Sequence, residues 1–122
     1  MLTLQEYLDE LAARVAKGAV LMDEKNIPGW YWQVKVEHLQ MWSCMRCVLG
    51  QTHGDYNVGL RKLDLTPDDG IAYGFNVRAA EPGETVDPGI PVPAQLPWDA
   101  LHQAWHQEIT RRREDDAACC GL

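Results

Sequence analysis

Two pairs of side chains in this sequence are spaced as metal ligands often are. Cys44 and Cys47 have the C-x-x-C spacing of a zinc site. His102 and His106 are four residues apart, so a helix would project both imidazoles from one face. Together they offer the thiolate and imidazole donors of a tetrahedral Cys2His2 zinc site. Against a zinc finger, the interval from Cys47 to His102 is several times the usual one.

The same two cysteines also fit other interpretations. They could be small buried side chains, with the histidines as surface polar residues. They could also form a redox pair. Ser43 is a candidate N-cap for a helix over residues 44–51, and the dipole of that helix would lower the pKa of the Cys44 thiol. However, the sequence shows no strand–helix–strand framework around the motif.

No other catalytic motif is visible in the sequence. It contains no G-x-S-x-G, no H-E-x-x-H and no phosphate-binding glycine loop. The sequence therefore does not decide whether the protein is an enzyme, and the lack of a catalytic motif favours a protein that is not.

A third group of residues has the composition of a recognition surface. A glycine-flanked polar turn follows Cys47, and a tryptophan-rich segment precedes the C-x-x-C motif. Polar loops carry many binding sites, and exposed tryptophans are frequent hot spots. The candidate partner-binding residues are Trp30, Trp32, Gln51, His53, Asp55 and Tyr56. Alternatively, the tryptophans belong to the core, and Gln51 and Tyr56 hydrogen-bond the backbone across the glycine break.

Charge and composition limit the classes of partner. The 122 residues carry a net charge of -7, with 11 Lys and Arg against 18 Asp and Glu. Proteins that bind nucleic acids or anionic membranes usually present a basic face, which is not expected here. No apolar run is long enough to span a membrane, and the N-terminal segment does not read as a secretory signal. The sequence predicts a cytoplasmic protein without nucleic-acid or membrane partners.

The elements that must position these residues are mostly helical. Residues 3–25 combine a T-x-x-E capping box with apolar side chains at intervals of three and four, which predicts a long amphipathic helix. Residues 30–36 alternate aromatic and β-branched side chains with others and predict a short extended segment or strand. Besides the helix over residues 44–51, capping signals at Asp55 and Thr66 predict two more short helices.

The C-terminal half of the sequence predicts a long loop and one more helix. Residues 76–97 hold five of the seven prolines and are expected to form a loop. A helix then starts at Trp98, and residues 114–122 should form a flexible tail. We therefore expect a compact, single-domain helical bundle over residues 1–113, mainly α with a short extended segment.

One long run of the sequence, CVLGQTHGDYNVGLRKL, resembles a segment of uncharacterised small proteins from actinobacteria and their phages. In those proteins a helix precedes an extended stretch with one Trp, two Val and one Leu at intervals, followed by a C-V-L-G-Q-x-x-G-x-Y core, a YGF turn and a C-terminal L-x-x-A-W-x-x-x-I helix. The matching residues here are Trp32, Val34, Val36, Leu39, Cys47–Gln51, Gly54, Tyr56, Tyr73–Phe75, Leu101, Ala104, Trp105 and Ile109. The resemblance implies no activity. Its pattern includes Cys47 and does not require His102 or His106.

The sequence-based interpretation is a small cytosolic module that binds an unidentified protein partner, of the kind found as phage or mobile-element accessory factors. No cofactor is required in this interpretation, and the composition does not indicate an oligomeric state. Two alternatives stay open: a zinc-stabilised domain that uses Cys44 and Cys47, and a thiol redox enzyme.

Overall fold

Two long helices that pack against each other form the frame of the fold. The computed structural model describes residues 2–25, 28–78 and 82–120. The helices are α1 (Leu4–Lys25), α2 (Trp30–Gln33), α3 (Val48–His53), α4 (Tyr56–Lys62), α5 (Pro67–Ala72) and α6 (Leu96–Cys120). Two antiparallel strands, β1 (Thr85–Val86) and β2 (Ile90–Pro91), precede α6. The prediction of a mainly helical single domain with a short extended element is confirmed.

The core lies between the facing sides of α1 and α6 and is closed by the shorter helices. Its buried side chains include Leu11, Val15, Met22, Trp30, Val34, Leu49, Leu60, Phe75, Leu101, Trp105 and Ile109. Burial of this apolar surface is the main force that holds the elements together. No helix in the described part of the chain has both the length and the apolar character needed to cross a bilayer.

The structure confirms three helix caps that the sequence predicts, at Thr3, Asp55 and Thr66. The Thr3 hydroxyl accepts from the backbone N–H of Glu6 at 3.1 Å, and the Glu6 carboxylate accepts from the N–H of Thr3 at 3.1 Å. Thr66 and Asp69 repeat this reciprocal capping box before α5. Asp55 caps α4 through its side chain. These bonds supply partners for N–H groups that the first turn of a helix leaves free.

The prediction of an extended segment over residues 30–36 is wrong. The chain forms α2 there and then a 3-10 turn over Val36–His38. Trp30 and Val34, four residues apart, are buried, whereas Trp32 between them is 54% exposed. The apolar positions therefore follow the period of a helix, and the alternation in the sequence is misleading. The extended element lies instead in the proline-rich segment, as β1 and β2.

The predicted helix over residues 44–51 begins one turn later than expected. Its N-cap is Cys47, whose sulfur accepts from the backbone N–H of Gly50 at 3.3 Å. The Ser43 hydroxyl accepts from the N–H groups of Met45 and Arg46, so it caps the turn before α3. Cys44 lies in that turn, outside the helix.

The predicted loop over residues 76–97 contains the hairpin, although residues 79–81 lie outside the described part of the chain. The backbone N–H of Asp87 donates to the carbonyl of Leu2 at 2.7 Å. This bond joins the turn of the hairpin to the residue before the capping box of α1. The hairpin is therefore held by pairing between its own strands and by this bond to the start of the chain.

The tail expected over residues 114–122 continues α6 as far as Cys120, and residues 121 and 122 lie outside the described part. Asp116 accepts hydrogen bonds from the Tyr31 hydroxyl at 2.7 Å and from the indole N–H of Trp32 at 2.8 Å. The Arg113 guanidinium donates to the carbonyls of Tyr31 and Val34. The helix continues because α2 supplies partners for its last turns.

A second set of contacts holds the middle of α6 to α1. Arg112 donates to the Asp23 carboxylate at 2.8 Å, and the indole N–H of Trp30 donates to the same carboxylate at 2.9 Å. Burial of Asp23 acts to raise the pKa of this carboxyl, but the hydrogen bonds from Arg112 and Trp30 outweigh it, so the pKa lies below its usual value. One carboxylate therefore connects α1, α2 and α6.

The Asp116 contacts predict an acid-dependent loss of stability. Hydrogen bonds from Tyr31 and Trp32 lower the pKa of Asp116 in the folded state. Because the ionised Asp116 is favoured in the folded state, its contacts stabilise the protein at pH values above the unfolded pKa of about 3.9. This stabilisation is lost as the pH falls through the lower pKa of the folded state. We expect Asp116→Asn to be less stable than the parent at pH 7 and to lose less stability between pH 5 and pH 3.

Urea unfolding followed by circular dichroism across this pH range measures the effect. Asp115→Asn, which removes an exposed neighbouring carboxylate, is the matched control and should follow the parent. An Asp116→Asn curve parallel to the parent curve would contradict the prediction.

For Tyr31 the same hydrogen bond gives a loss of stability at alkaline pH, because the bond to Asp116 raises the pKa of Tyr31 to about 12. That contribution is present below pH 10 and is lost as the pH approaches 12.

Candidate functional site

The structure does not gather the four candidate zinc ligands. Cys44 and Cys47 lie in and beside the turn that precedes α3, whereas His102 and His106 contact each other on α6. Among the residues that the structure describes, no group of three or more His, Cys, Asp or Glu side chains could hold a metal ion. These four side chains therefore form two separate pairs of donors.

Cys47 has the environment of a structural thiol. Both Cys44 and Cys47 are free, but only Cys44 is exposed. Burial raises the pKa of the Cys47 thiol, although the backbone N–H groups at the start of α3 act in the opposite direction. A redox-active cysteine needs an accessible sulfur with a lowered pKa. The position at the helix N-terminus that was predicted for Cys44 is occupied by Cys47. There burial raises the thiol pKa by more than the helix N–H groups lower it.

Gln51 braces two backbone segments that precede α3. Its amide oxygen accepts from the N–H of Lys35 at 2.7 Å, and its amide nitrogen donates to the carbonyl of Lys35 at 3.3 Å. The same nitrogen donates to the carbonyl of Arg46 at 3.0 Å. This agrees with the alternative in which Gln51 hydrogen-bonds the backbone, because its side-chain amide makes three such bonds within the protein.

The other polar residues of the glycine-flanked turn also have internal partners. The His53 ring nitrogen Nδ1 lies 2.9 Å from the Thr52 hydroxyl, and burial lowers the pKa of His53. The Asp55 carboxylate accepts from the backbone N–H of Asn57 at 2.8 Å as the cap of α4. Gly54 between them has a φ of +89°, which lets the chain reverse between α3 and α4.

Of the two tryptophans predicted at the surface, only Trp32 is exposed. Trp30 is buried against α6, so its assignment to a partner surface is wrong. The Trp32 ring lies under the guanidinium of Arg113, 5.1 Å from the ring centroid, and its N–H is bonded to Asp116. Contacts with α6 therefore occupy part of this side chain as well.

Tyr56 reaches from the start of α4 to α5. Its hydroxyl is buried, and within the described residues it has no hydrogen-bond partner. A Cβ placed on Gly70 would lie 2.4 Å from this oxygen, so the glycine makes room for it. Burial raises the pKa of Tyr56, and the nearby amide of Asn76 opposes the shift. Tyr56 thus combines a packing role with an incompletely satisfied polar atom.

A pocket of about 160 Å³ opens beside the C-x-x-C turn, and we call it the Trp42 pocket. It is lined by Met41, Trp42, Ser43, Cys44, Cys47, Tyr56, Phe75, Asn76 and Trp98. Trp42 is 52% exposed, and Met45 in the same turn is 69% exposed. The pocket brings together an exposed thiol, two indoles and the Tyr56 side chain.

Sequence reasoning did not identify Trp42 and Met45 as candidate site residues. A partial signal was present, because the apolar residues Leu39 and Met41 alternate with a polar residue, and in an extended segment this would turn Trp42 outward. The chain forms a turn at residues 41 and 42 instead, so the pattern agrees with the exposure of Trp42 but does not explain it. The wall formed by Phe75 and Trp98 had no comparable signal, since these residues are distant in sequence.

A larger groove of about 980 Å³ lies between α1, α5 and the hairpin. Its charged lining residues have both signs: Glu10, Arg14, Asp68, Arg78 and Glu84. Arg14 is already paired with Glu10 at 2.7 Å. Residues 79–81, outside the described part of the chain, fall between two residues that line this groove. Its chemistry therefore indicates no ligand class.

Comparisons with protein-family models, with curated proteins and with solved structures find no match. The resemblance to small actinobacterial and phage proteins stays a prediction.

Proposed function

We propose that this chain is a cytosolic protein-binding module that contacts its partner through the Trp42 pocket and the exposed side chains of Trp42 and Met45. The exposure of these two large apolar residues beside a pocket is the observation that carries the proposal. Tryptophan and methionine are enriched in the buried centres of protein interfaces. Tryptophan is also among the residues most often found as binding hot spots.

The size and lining of the pocket favour an apolar side chain of the partner. A cavity of about 150 Å³ can hold one benzene molecule, and the Trp42 pocket is of that size. Its lining includes three apolar aromatic side chains, those of Trp42, Phe75 and Trp98. A leucine, methionine or phenylalanine side chain would therefore fit, while Trp42 and Met45 cover the surrounding surface of the partner.

The alternatives from the sequence receive less support. A zinc-stabilised domain would have to rely on two cysteines, one of which is buried and caps α3. A thiol enzyme would need an activated sulfur, and burial raises the pKa of Cys47. The acidic net charge continues to favour a protein partner over a nucleic acid. An accessory role in a phage or mobile element rests on the resemblance alone.

The test is quantitative capture of partners from host lysate with immobilised protein. We expect Trp42→Ala combined with Met45→Ala to weaken binding of a retained partner by about 30-fold or more, as for a hot spot of about 2 kcal/mol. Trp32→Ala is the matched control, because Trp32 is equally exposed but belongs to the competing surface. The control should retain the partner.

Two results would refute this assignment. If Trp32→Ala abolishes capture and the double variant does not, the contact surface lies at α2. If the double variant changes only self-association in sedimentation experiments, the pocket is an interface between copies of this chain. Circular dichroism of each variant establishes that the fold is retained.

A further inference from the structure

We propose that His102 and His106 form a two-histidine site for a divalent transition-metal ion on α6. The two imidazole rings are neighbours at a tilt, with centroids 6.4 Å apart and ring planes inclined by 33°. Both side chains are half-buried. Neither histidine lines the Trp42 pocket, and the site does not depend on the proposed protein partner.

The helix fixes the spacing of the two donors. Positions four apart lie one above the other on a helix face, and both are inside the continuous helix Leu96–Cys120. Trp105 and Ile109 beside them are buried, which fixes the rotation of this stretch of helix relative to the core. A metal ion therefore meets two imidazoles whose backbone positions are already set.

The imidazoles are free to bind a metal. Within the described residues, neither ring takes part in a hydrogen bond or an ion pair, and each contacts only the other among the aromatic rings. Zinc binds imidazole nitrogen at about 2.0–2.1 Å. Modest rotations of two half-exposed side chains would bring one nitrogen of each ring to that distance from a shared ion.

The donor set determines the class of ion. Imidazole suits Zn²⁺, Cu²⁺ and Ni²⁺, whereas Mg²⁺ and Ca²⁺ prefer oxygen ligands. The net charge of -7 favours cations in general. Because no third described ligand joins the pair, water fills the other coordination positions. The site thus differs from a closed, four-ligand structural zinc site.

The experiment uses the full chain and Ni²⁺ alone, since Ni²⁺ favours nitrogen donors and thereby limits binding to thiols. Isothermal titration should show one Ni²⁺ per chain. His102→Ala and His106→Ala should each weaken binding at least about tenfold, because a two-point chelate becomes a single contact. His38→Ala, at an exposed histidine in the 3-10 turn, is the matched control and should bind as the parent does.

A second measurement locates the ion without relying on the variants. Paramagnetic Ni²⁺ should broaden the amide resonances around residues 102 and 106 first in NMR spectra, and saturating Ni²⁺ should raise the unfolding temperature of the parent but not of His106→Ala. Broadening centred on Cys44 and Cys47 would overturn the proposal. Equal affinity of the His variants and the parent, or no binding at millimolar Ni²⁺, would do the same.

Discussion

Replacing Gly18 by alanine is expected to destabilise the protein by about 2–3 kcal/mol, as overpacked core substitutions do. In a solvated helix the same change would add about 1 kcal/mol of stability. Here a Cβ on Gly18 would lie 2.0 Å from the carbonyl oxygen of Tyr73 and 3.3 Å from the ring of Trp105. Because the added methyl group would clash with a backbone atom, Gly18→Ala should lower the stability, whereas helix propensity alone predicts an increase.

The turn that faces Gly18 cannot easily retreat. It is formed by Tyr73–Phe75, and a Cβ on Gly74 would lie 2.6 Å from the backbone nitrogen of Val15. Gly74 also has a φ of +73°, which side chains disfavour, and its carbonyl accepts from Trp105 at 2.7 Å. The backbones of α1 and the turn touch at two glycines, so relief at one point is opposed at the other.

Urea unfolding of Gly18→Ala measures this effect. Ala16→Gly, at an exposed position of the same helix, calibrates propensity and should cost about 1 kcal/mol. A Gly18→Ala protein that is more stable than the parent would show that the close approach does not exist.

Replacing Trp105 by alanine should cost about 3–5 kcal/mol, the range for large buried aromatic residues. Trp105 is fully buried, stacks on Phe75 with centroids 5.2 Å apart and meets Trp30 edge-on at 6.1 Å. Its indole N–H is also the donor to the carbonyl of Gly74. The substitution therefore leaves a cavity and removes the partner of a buried carbonyl.

Chemical unfolding of two further variants separates these contributions. Trp105→Phe keeps most of the ring volume but loses the donor, so its stability should lie between those of the alanine variant and the parent. Trp42→Ala, at an exposed tryptophan, should stay within about 0.5 kcal/mol of the parent. Equal losses for Trp105→Ala and Trp42→Ala would mean that the core is not centred on Trp105.

Local chemistry explains which parts of the fold could be predicted. The caps at Thr3, Asp55 and Thr66 act on backbone groups two or three residues away. The apolar periodicity of α1 likewise lies within one continuous segment. The sequence carries such signals in full, and for this reason the helices that begin at these caps were predicted correctly.

Contacts between distant segments explain what could not be predicted. Whether residues 30–36 follow a helical or an extended pattern depends on the burial of Trp30 against Trp105. The end of α6 depends on the bond between Asp116 and Tyr31, 85 residues earlier in the chain. Neither partner can be identified from spacing.

The candidate site was predicted in part. The sequence drew attention to the C-x-x-C turn, and Cys44 and Cys47 both line the Trp42 pocket. The sequence also predicted that Gln51 and Asp55 bind a partner, but their polar groups hydrogen-bond the protein's own backbone. The pocket itself needs Phe75 and Trp98 from later segments, so no local pattern could reveal it.

The bracing by Gln51 has a consequence for association between molecules. Its amide gives Lys35 the same two hydrogen bonds that a residue of a neighbouring β-strand would give, one to the N–H and one to the carbonyl. An exposed backbone segment with free N–H and C=O groups is a template for strand pairing and aggregation. Lys35 lies between α2 and the 3-10 turn and belongs to no strand, but Gln51 occupies its N–H and shares its carbonyl with the N–H of His38, so another chain finds no free main-chain partner there.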